Sequence, residues 1–279
     1  MPSHAFNQDS DEWALILGGS SGFGLATAHR LAEAGLNLCV VHRDRRGAMR
    51  RVEPEFEAIR AHGVSLATFN RDALDPASRA EILDAIGAEL GEAGKIRVLL
   101  HSIAFGNLKL VAPEETAEPS VYPDRYLEEE DMARTVHAMG TSLLAWTQDV
   151  HGRGLFAPDA RVFGLTSEGN TVAWKGYAAV AAAKVALESV SRSIAVEMAH
   201  FGIRSNVIQA GVTDTPALRL IPGSERLKAQ ALAKNPFGRL TTPRDVANVI
   251  YLLSLPEAAW VNGDIIRVDG GEHISGLSR

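Results

Sequence analysis

The chain has 279 residues, enough to bury a full core and near the upper end for a single α/β domain. Its 34 Asp and Glu outnumber 28 Lys and Arg, and the net charge of −6 with a pI of ≈ 5.9 argues against partners such as nucleic acid or an anionic membrane. A lone cysteine, Cys39, excludes an internal disulfide and a Cys-rich metal site, so no metal is expected; no apolar run reaches the ~18 residues of a membrane span, and MPSHAFNQDSDE lacks the order of a signal peptide, which makes the cytoplasm the expected compartment.

Residues 1–12 read as a flexible lead-in and residues 13–279 as one domain. From Trp13, WALIL is short and continuously apolar, as a strand buried on both faces requires, and GGSSGFG follows at once. LATAHRLAEAG then has helical periodicity and closes at Gly35, where glycine takes up the left-handed conformation that ends a helix. Within the loop, Gly18, Gly22 and Gly24 form a G-x3-G-x-G pattern. Lacking Cβ atoms, they let the backbone turn tightly and approach a diphosphate, beside a helix N-terminus with unpaired N–H groups. A nucleotide is therefore expected on Gly18, Ser20, Ser21, Gly22, Phe23 and Gly24. The next strand, LNLCVV, takes up Cys39 as packing and runs into HRDRR. An arginine at this strand end accommodates a 2′-phosphate, whereas an acid holds a ribose 2′-hydroxyl. Arg43 thus favours NADPH over NADH, with Arg45, Arg46 and a protonated His42 in support; Asp44, directed at the ribose, is the alternative.

A helical pattern from Glu53 to His62 closes at Gly63, and VSLATFNRDALD reads as the third strand and a loop that carries Asp72. ASRAEILDAIGAEL is a helix, and KIRVLLHSIA another short apolar strand, in which His101 reads as packed or hydrogen-bonded. Residues 105–130 have no clear periodicity, and a long loop after a central strand is a substrate loop in open parallel sheets. Phe105, Leu108, Tyr122 and Tyr126 are its candidate contacts. A helix is predicted from Asp131 to about Val150, then ARVFGLTS as the fifth strand. Ser167 ends that strand, and Trp174 follows as an apolar wall or a core cover.

From Tyr177 the chain is rich in alanine, with no glycine or proline until Gly202, and reads as one long helix. Tyr177 and Lys184, seven apart, are about two turns from one another, so the phenol and the ammonium share a face if the helix includes Tyr177. A lysine near a phenol favours the phenolate and makes the tyrosine a better acid. IRSNVIQAGVTDTP reads as the sixth strand and a tight loop, and residues 213–236 as an amphipathic flap or packed surface helix. Thr242 reads as an N-cap before Pro243 with Asp245 in the first turn, and DIIRV as the last strand before Gly270 and Gly271.

The glycine loop with the tyrosine–lysine segment resembles the short-chain dehydrogenase/reductase family over roughly residues 13–273. The common family pattern is Tyr-x3-Lys, but Val180 stands four before Lys184. The Tyr-x6-Lys of Tyr177 and Lys184, the His-Ser-Ile of 101–103 and the Ala-Gly of 210–211 resemble the enoyl-acyl-carrier-protein reductase branch. The resemblance implies a doubly wound Rossmann fold with a seven-stranded, mostly parallel sheet. It implies Asp72 and Ala73 at the adenine, and Ser102, Ile103 and Ala104 along the ribose and nicotinamide. It also implies Lys184 on the ribose hydroxyls, and Gly211, Val212, Thr213 and Thr215 near the carboxamide and phosphates. Three departures stand out: Leu17 replaces a threonine, His137 the usual catalytic asparagine, and Ser167 the further tyrosine of most enoyl reductases. Family members often form tetramers, so a homotetramer or homodimer is expected.

The expected activity is NADPH-dependent reduction of a 2-enoyl thioester, carried by acyl carrier protein or coenzyme A, with Tyr177, Lys184 and Ser167 as catalytic residues. Ser167 keeps carbonyl or hydroxyl chemistry open. His137 and Val180 keep open a non-catalytic sensor that binds NADPH.

Overall fold

The computed structural model describes residue 6, residues 11–112, residue 122 and residues 126–276. Seven strands form one sheet: β1 (Glu12–Leu17), β2 (Asn37–His42), β3 (Leu66–Asn70), β4 (Lys95–His101), β5 (Phe156–Thr166), β6 (Ile203–Ala210) and β7 (Ile265–Val268). All pairs are parallel, in the order β3-β2-β1-β4-β5-β6-β7. The apolar runs become strands because side chains alternate between two buried faces. From β1, Ala14 and Ile16 join Leu31, Phe56 and Ile250 in one core, while Leu15 and Leu17 join Ile82, Trp146 and Leu187 in the other. Cys39 pairs with Leu15 and Ala67 and is buried, so desolvation drives its thiol pKa up and leaves it inert packing.

The flanking helices are α1 (Gly22–Glu33), α2 (Met49–Arg60), α3 (Pro76–Leu90), α4 (Glu129–Val136), α5 (Ser142–Gly152), α6 (Ala178–Glu197), α7 (Pro216–Arg219), α8 (Ser224–Lys234) and α9 (Pro243–Ser254). Gly35 closes α1 with φ +94°; Thr242 is the N-cap of α9 as predicted, and the structure adds a reciprocal capping box with Asp245. Strand order reverses between β1 and β4, and the crevice beyond their C-terminal ends is where such sheets receive ligands.

The structure corrects several predicted boundaries. α2 begins at Met49, not Glu53, and continues through Pro54, because Val52, Phe56 and Ile59 bury one face against the sheet. The single helix predicted from Asp131 to Val150 is divided by a π-helical turn at His137–Thr141. The extra residue brings Gly140 against α6, so closely that a Cβ there would lie 2.8 Å from the Ala183 carbonyl oxygen. Tyr177 is the N-cap of α6 and not part of the helix, with φ −106° and ψ 2°. Of the lead-in, residues 1–5 and 7–10 lie outside the described residues, whereas Phe6 is buried against Tyr251 and Glu12 already belongs to β1. Of the substrate loop, residues 113–121 and 123–125 lie outside the described residues.

Candidate functional site

The crevice has two connected lobes. The first, of ≈ 440 Å³, lies over the ends of β1, β2 and β4 and is lined by Gly18, Ser20, Ser21, Gly22 and Phe23. Gly18 has φ +84°, and a Cβ on it would lie 2.4 Å from the Ser102 carbonyl oxygen, so only glycine fits where β1 meets β4. Ser21 caps α1 without a side-chain hydrogen bond, leaving the first amides of the helix open to an anion. Gly24 departs from the expected binding set. It does not line the lobe, and a Cβ there would lie 2.2 Å from the Gly18 carbonyl oxygen, so its absent side chain lets the helix pack on its own turn.

Arg43, Asp72 and Ala73 line the far end of this lobe. Arg43 donates from Nη1 to Asp72 Oδ2 at 2.6 Å and lies 5.6 Å from the Phe105 ring centre. Asp72 also accepts from the Leu74 amide at 2.9 Å. The alternative ribose acid, Asp44, is turned away: its carboxylate meets His42 Nδ1 at 2.8 Å, and its backbone pairs with the Asn70 side chain. Arg45 and Arg46 do not line the lobe, because the chain leaves β2 there for α2. Arg71 does line it, at the end of β3, where no sequence pattern marks it. Ser102, Ile103 and Ala104 complete the lobe with Thr215 and Lys184.

The second lobe, of ≈ 400 Å³, is mostly apolar and shares Phe23, Ala104, Phe105, Ser167 and Thr215 with the first. Leu108, Met139, Trp174 and Val180 wall one side, and Ala217, Leu218, Leu220, Ile221 and Leu227 of the predicted flap close another. Gly211, Val212 and Thr213 lie along it. Trp174 is thus a cavity wall, packed 5.5 Å from Tyr177 between ring centres. Tyr122 and Tyr126 do not line it; Tyr122 donates to the Lys175 carbonyl at 3.0 Å and Tyr126 is exposed.

Tyr177 and Lys184 serve different lobes. The phenol lines the apolar lobe, with Ser167 Oγ 3.4 Å from its oxygen. Lys184 lines the nucleotide lobe, and its Nζ donates to the Leu165 carbonyl at 2.8 Å. The expected acidification of the phenol is not found. Burial pushes the Tyr177 pKa up, against a smaller downward pull from the Ser167 hydrogen bond, so the group stays protonated as a neutral donor. Burial also pushes Lys184 down to about 8, and Glu188 opposes that shift. Glu188 carries no motif of its own in the sequence, although it lies one turn beyond Lys184. It is buried and accepts from Thr166 Oγ1 at 2.5 Å and from Asn170 Nδ2 at 2.6 Å, tying down the segment that carries Ser167. His101 is buried, with Nε2 2.7 Å from Ser142 Oγ, and burial pushes its pKa to about 3, so it is a neutral packed residue. His137 is exposed, contacts the Leu74 carbonyl at 3.3 Å and does not line the crevice.

An all-parallel sheet with a glycine turn and a crevice at its reversal point defines a doubly wound, Rossmann-type α/β protein. A family model described as enoyl-(acyl carrier protein) reductase matches residues 18–273. The chain belongs to this branch of the short-chain dehydrogenase/reductase family of oxidoreductases. It is 29% identical over 263 residues to a 3-oxoacyl-(acyl-carrier-protein) reductase of Escherichia coli, with 94% of this chain and 97% of that protein covered. It is 30% identical over 262 residues to cis-4-hydroxycyclohexanecarboxylate dehydrogenase of Sinomonas cyclohexanicum, covering 92% and 95%. Its fold matches that of an enoyl-(acyl-carrier-protein) reductase from Anaplasma phagocytophilum, crystallised with NAD, with a TM-score of 0.79, 20% identity and coverage of 98% and 95%.

Proposed function

We propose that the protein reduces the carbon–carbon double bond of a 2-enoyl thioester with NADPH. The observation that carries this reading is the position of Tyr177: its hydroxyl lines an apolar cavity, on the helix N-cap one turn before Val180, the position a ketone reductase of this family uses for its acid. In a ketone, the carbon that takes hydride bears the oxygen that takes the proton. In an enoyl thioester, hydride goes to the β-carbon while charge develops on the thioester oxygen three bonds away, and a donor one turn back suits that separation.

NADPH, when bound, supplies the hydride. The turn from Gly18 to Gly22 and the open N-terminus of α1 suit its diphosphate. Arg43 suits the 2′-phosphate, Asp72 and Ala73 the adenine, and Ser102 to Ala104 the ribose and nicotinamide. Lys184 would hold the nicotinamide ribose, and Gly211, Val212, Thr213 and Thr215 would suit the carboxamide and phosphates. Tyr177, protonated and desolvated, donates a hydrogen bond to the thioester oxygen and stabilises the enolate. Ser167 assists from beside it.

That same Ser167···Tyr177 contact favours a second reading, ketone reduction, in which the serine and the phenol together receive a carbonyl oxygen. NADPH oxidation followed by absorbance, with crotonyl thioester in one cuvette, acetoacetyl thioester in another and NADH as a control, separates the two. Consumption with the enoyl substrate alone supports the proposal. Consumption with the keto substrate alone sinks it and makes Ser167 the better guide.

A further inference from the structure

The apolar lobe contains a polar feature that the reduction described above does not use. After β7, the turn from Asp269 to His273 folds back so that Asp269, Glu272 and His273 line the lobe, beside Glu168. Glu272 is only 5% exposed, and its Oε2 has no hydrogen-bond partner among the described residues. An unpaired buried polar atom costs free energy comparable to a lost hydrogen bond, so folds retain one where a ligand or water completes it. The neighbours do not complete it. His273 is already taken, with Nδ1 2.5 Å from Asp269 Oδ2, and Asp269 also accepts from the Gly271 and His273 amides. No lysine or arginine lines this lobe among the described residues.

Burial pushes the Glu272 carboxyl above the usual range. The Val212 amide draws it down in part, the charges of Glu168 and Asp269 push it up further, and Lys234 opposes them more weakly. A buried carboxyl oxygen without a donor is an open acceptor, which the O–H of a hydroxyl group complements. An anionic substituent would meet three carboxyl groups, Glu272, Glu168 and Asp269, and no lysine or arginine among the residues that line the lobe.

We propose that Glu272, with Glu168 beside it, forms a second polar patch in the substrate cavity that receives a hydroxyl group carried by the substrate away from its reacting carbons. The assignment rests on the reading of this lobe as the acyl site and narrows its substrate class to hydroxylated acyl groups, disfavouring those that end in a carboxylate.

The test measures binding separately from turnover. The NADPH-loaded protein is titrated calorimetrically with saturated thioesters: hexanoyl, its derivatives hydroxylated singly at carbon 4, 5 or 6, and adipyl. One hydroxylated probe is expected to bind roughly tenfold tighter than hexanoyl, the scale of one hydrogen bond to a buried acid. Adipyl is expected to bind more weakly than hexanoyl. Glu272→Leu should abolish the hydroxyl preference, whereas Glu272→Gln should keep it and relieve the discrimination against adipyl, a gain that a misfolded variant cannot produce. Equal binding of all probes, no binding of any, or a preference that survives Glu272→Leu would overturn the proposal. Crotonyl thioester reduction is assayed alongside: if it fails while the Glu272-dependent preference holds, the reaction reading falls and the patch stands.

Discussion

Replacing Tyr177 by Phe removes one oxygen from the wall of the apolar lobe and nothing else. Two effects can be weighed against each other. Among the described residues that oxygen has one side-chain hydrogen-bond partner, Ser167 Oγ at 3.4 Å, which is long for a hydroxyl pair. Its loss therefore costs at the low end of about 0.5–1.5 kcal/mol, a Tm change of at most roughly 3 °C for a chain of this size. In the reaction, the same oxygen is the donor aimed at developing charge. Removing one such donor costs about 2.7–4 kcal/mol, or roughly 100- to 1000-fold in kcat. Tyr177 lines the apolar lobe and not the nucleotide lobe, so NADPH affinity should stay within about twofold of the wild type. The assay is kcat on crotonyl thioester, NADPH binding by fluorescence and a thermal melt, all on one preparation. A kcat within threefold of wild type would refute the reasoning. A large fall in Tm or in NADPH affinity would instead show that the phenol holds the fold or the cofactor site.

Four further outcomes follow from the same geometry. Lys184 is buried and pushed from 10.5 to about 8, so it is charged below that pH and neutral above it; kcat/KM should fall as pH rises through about 8, and Glu188→Gln should move that limb lower, because the Glu188 charge is what opposes the shift. In the unfolded chain the lysine keeps its proton to a higher pH, so the apo protein should gain stability from this group as pH rises above about 8, measurable by denaturant titration. Glu188→Ala leaves the buried Thr166 hydroxyl and the half-buried Asn170 amide without their acceptor, and should cost about 3 kcal/mol, seen as a Tm fall of roughly 6–12 °C. Arg43→Ala should raise KM for NADPH about ten- to a hundredfold and leave NADH nearly unaffected, since a charge-assisted phosphate contact is lost; an unchanged cofactor preference removes Arg43 from that role.

What was legible in the sequence is what short-range physics writes into it. WALIL, LNLCVV and KIRVLLH have to be strands buried on both faces, because a half-exposed strand would alternate with polar residues. Gly18 and Gly22 announce a turn that only residues without Cβ can make, and Thr242, Pro243 and Asp245 announce a helix start. These signals are local, and with the spacing of Tyr177 and Lys184 they suffice for the family and the parallel sheet.

Other features depend on residues far apart in the chain, and only the tertiary structure decided them. Periodicity continues straight through His137–Thr141, and the π turn exists because Gly140 must meet the backbone of Ala183. Seven residues of spacing suggested that phenol and ammonium act on each other. The folded chain instead turns them to two lobes, where burial drives the phenol up and the lysine down, opposed by Ser167 at the phenol and by Glu188 at the lysine. Arg43 was the favoured residue at its strand end and Asp44 the alternative, and only the fold showed His42 and Asn70 turning the acid inward. Glu272 was invisible beside Gly270 and Gly271, because a glutamate acquires meaning only when the fold removes its water and leaves one of its oxygens without a partner among the described residues. Sequence sets which elements form, since that is a matter of neighbours along the chain. Desolvation and the pairing of charges are matters of neighbours in space, and those are what make this crevice a chemical site.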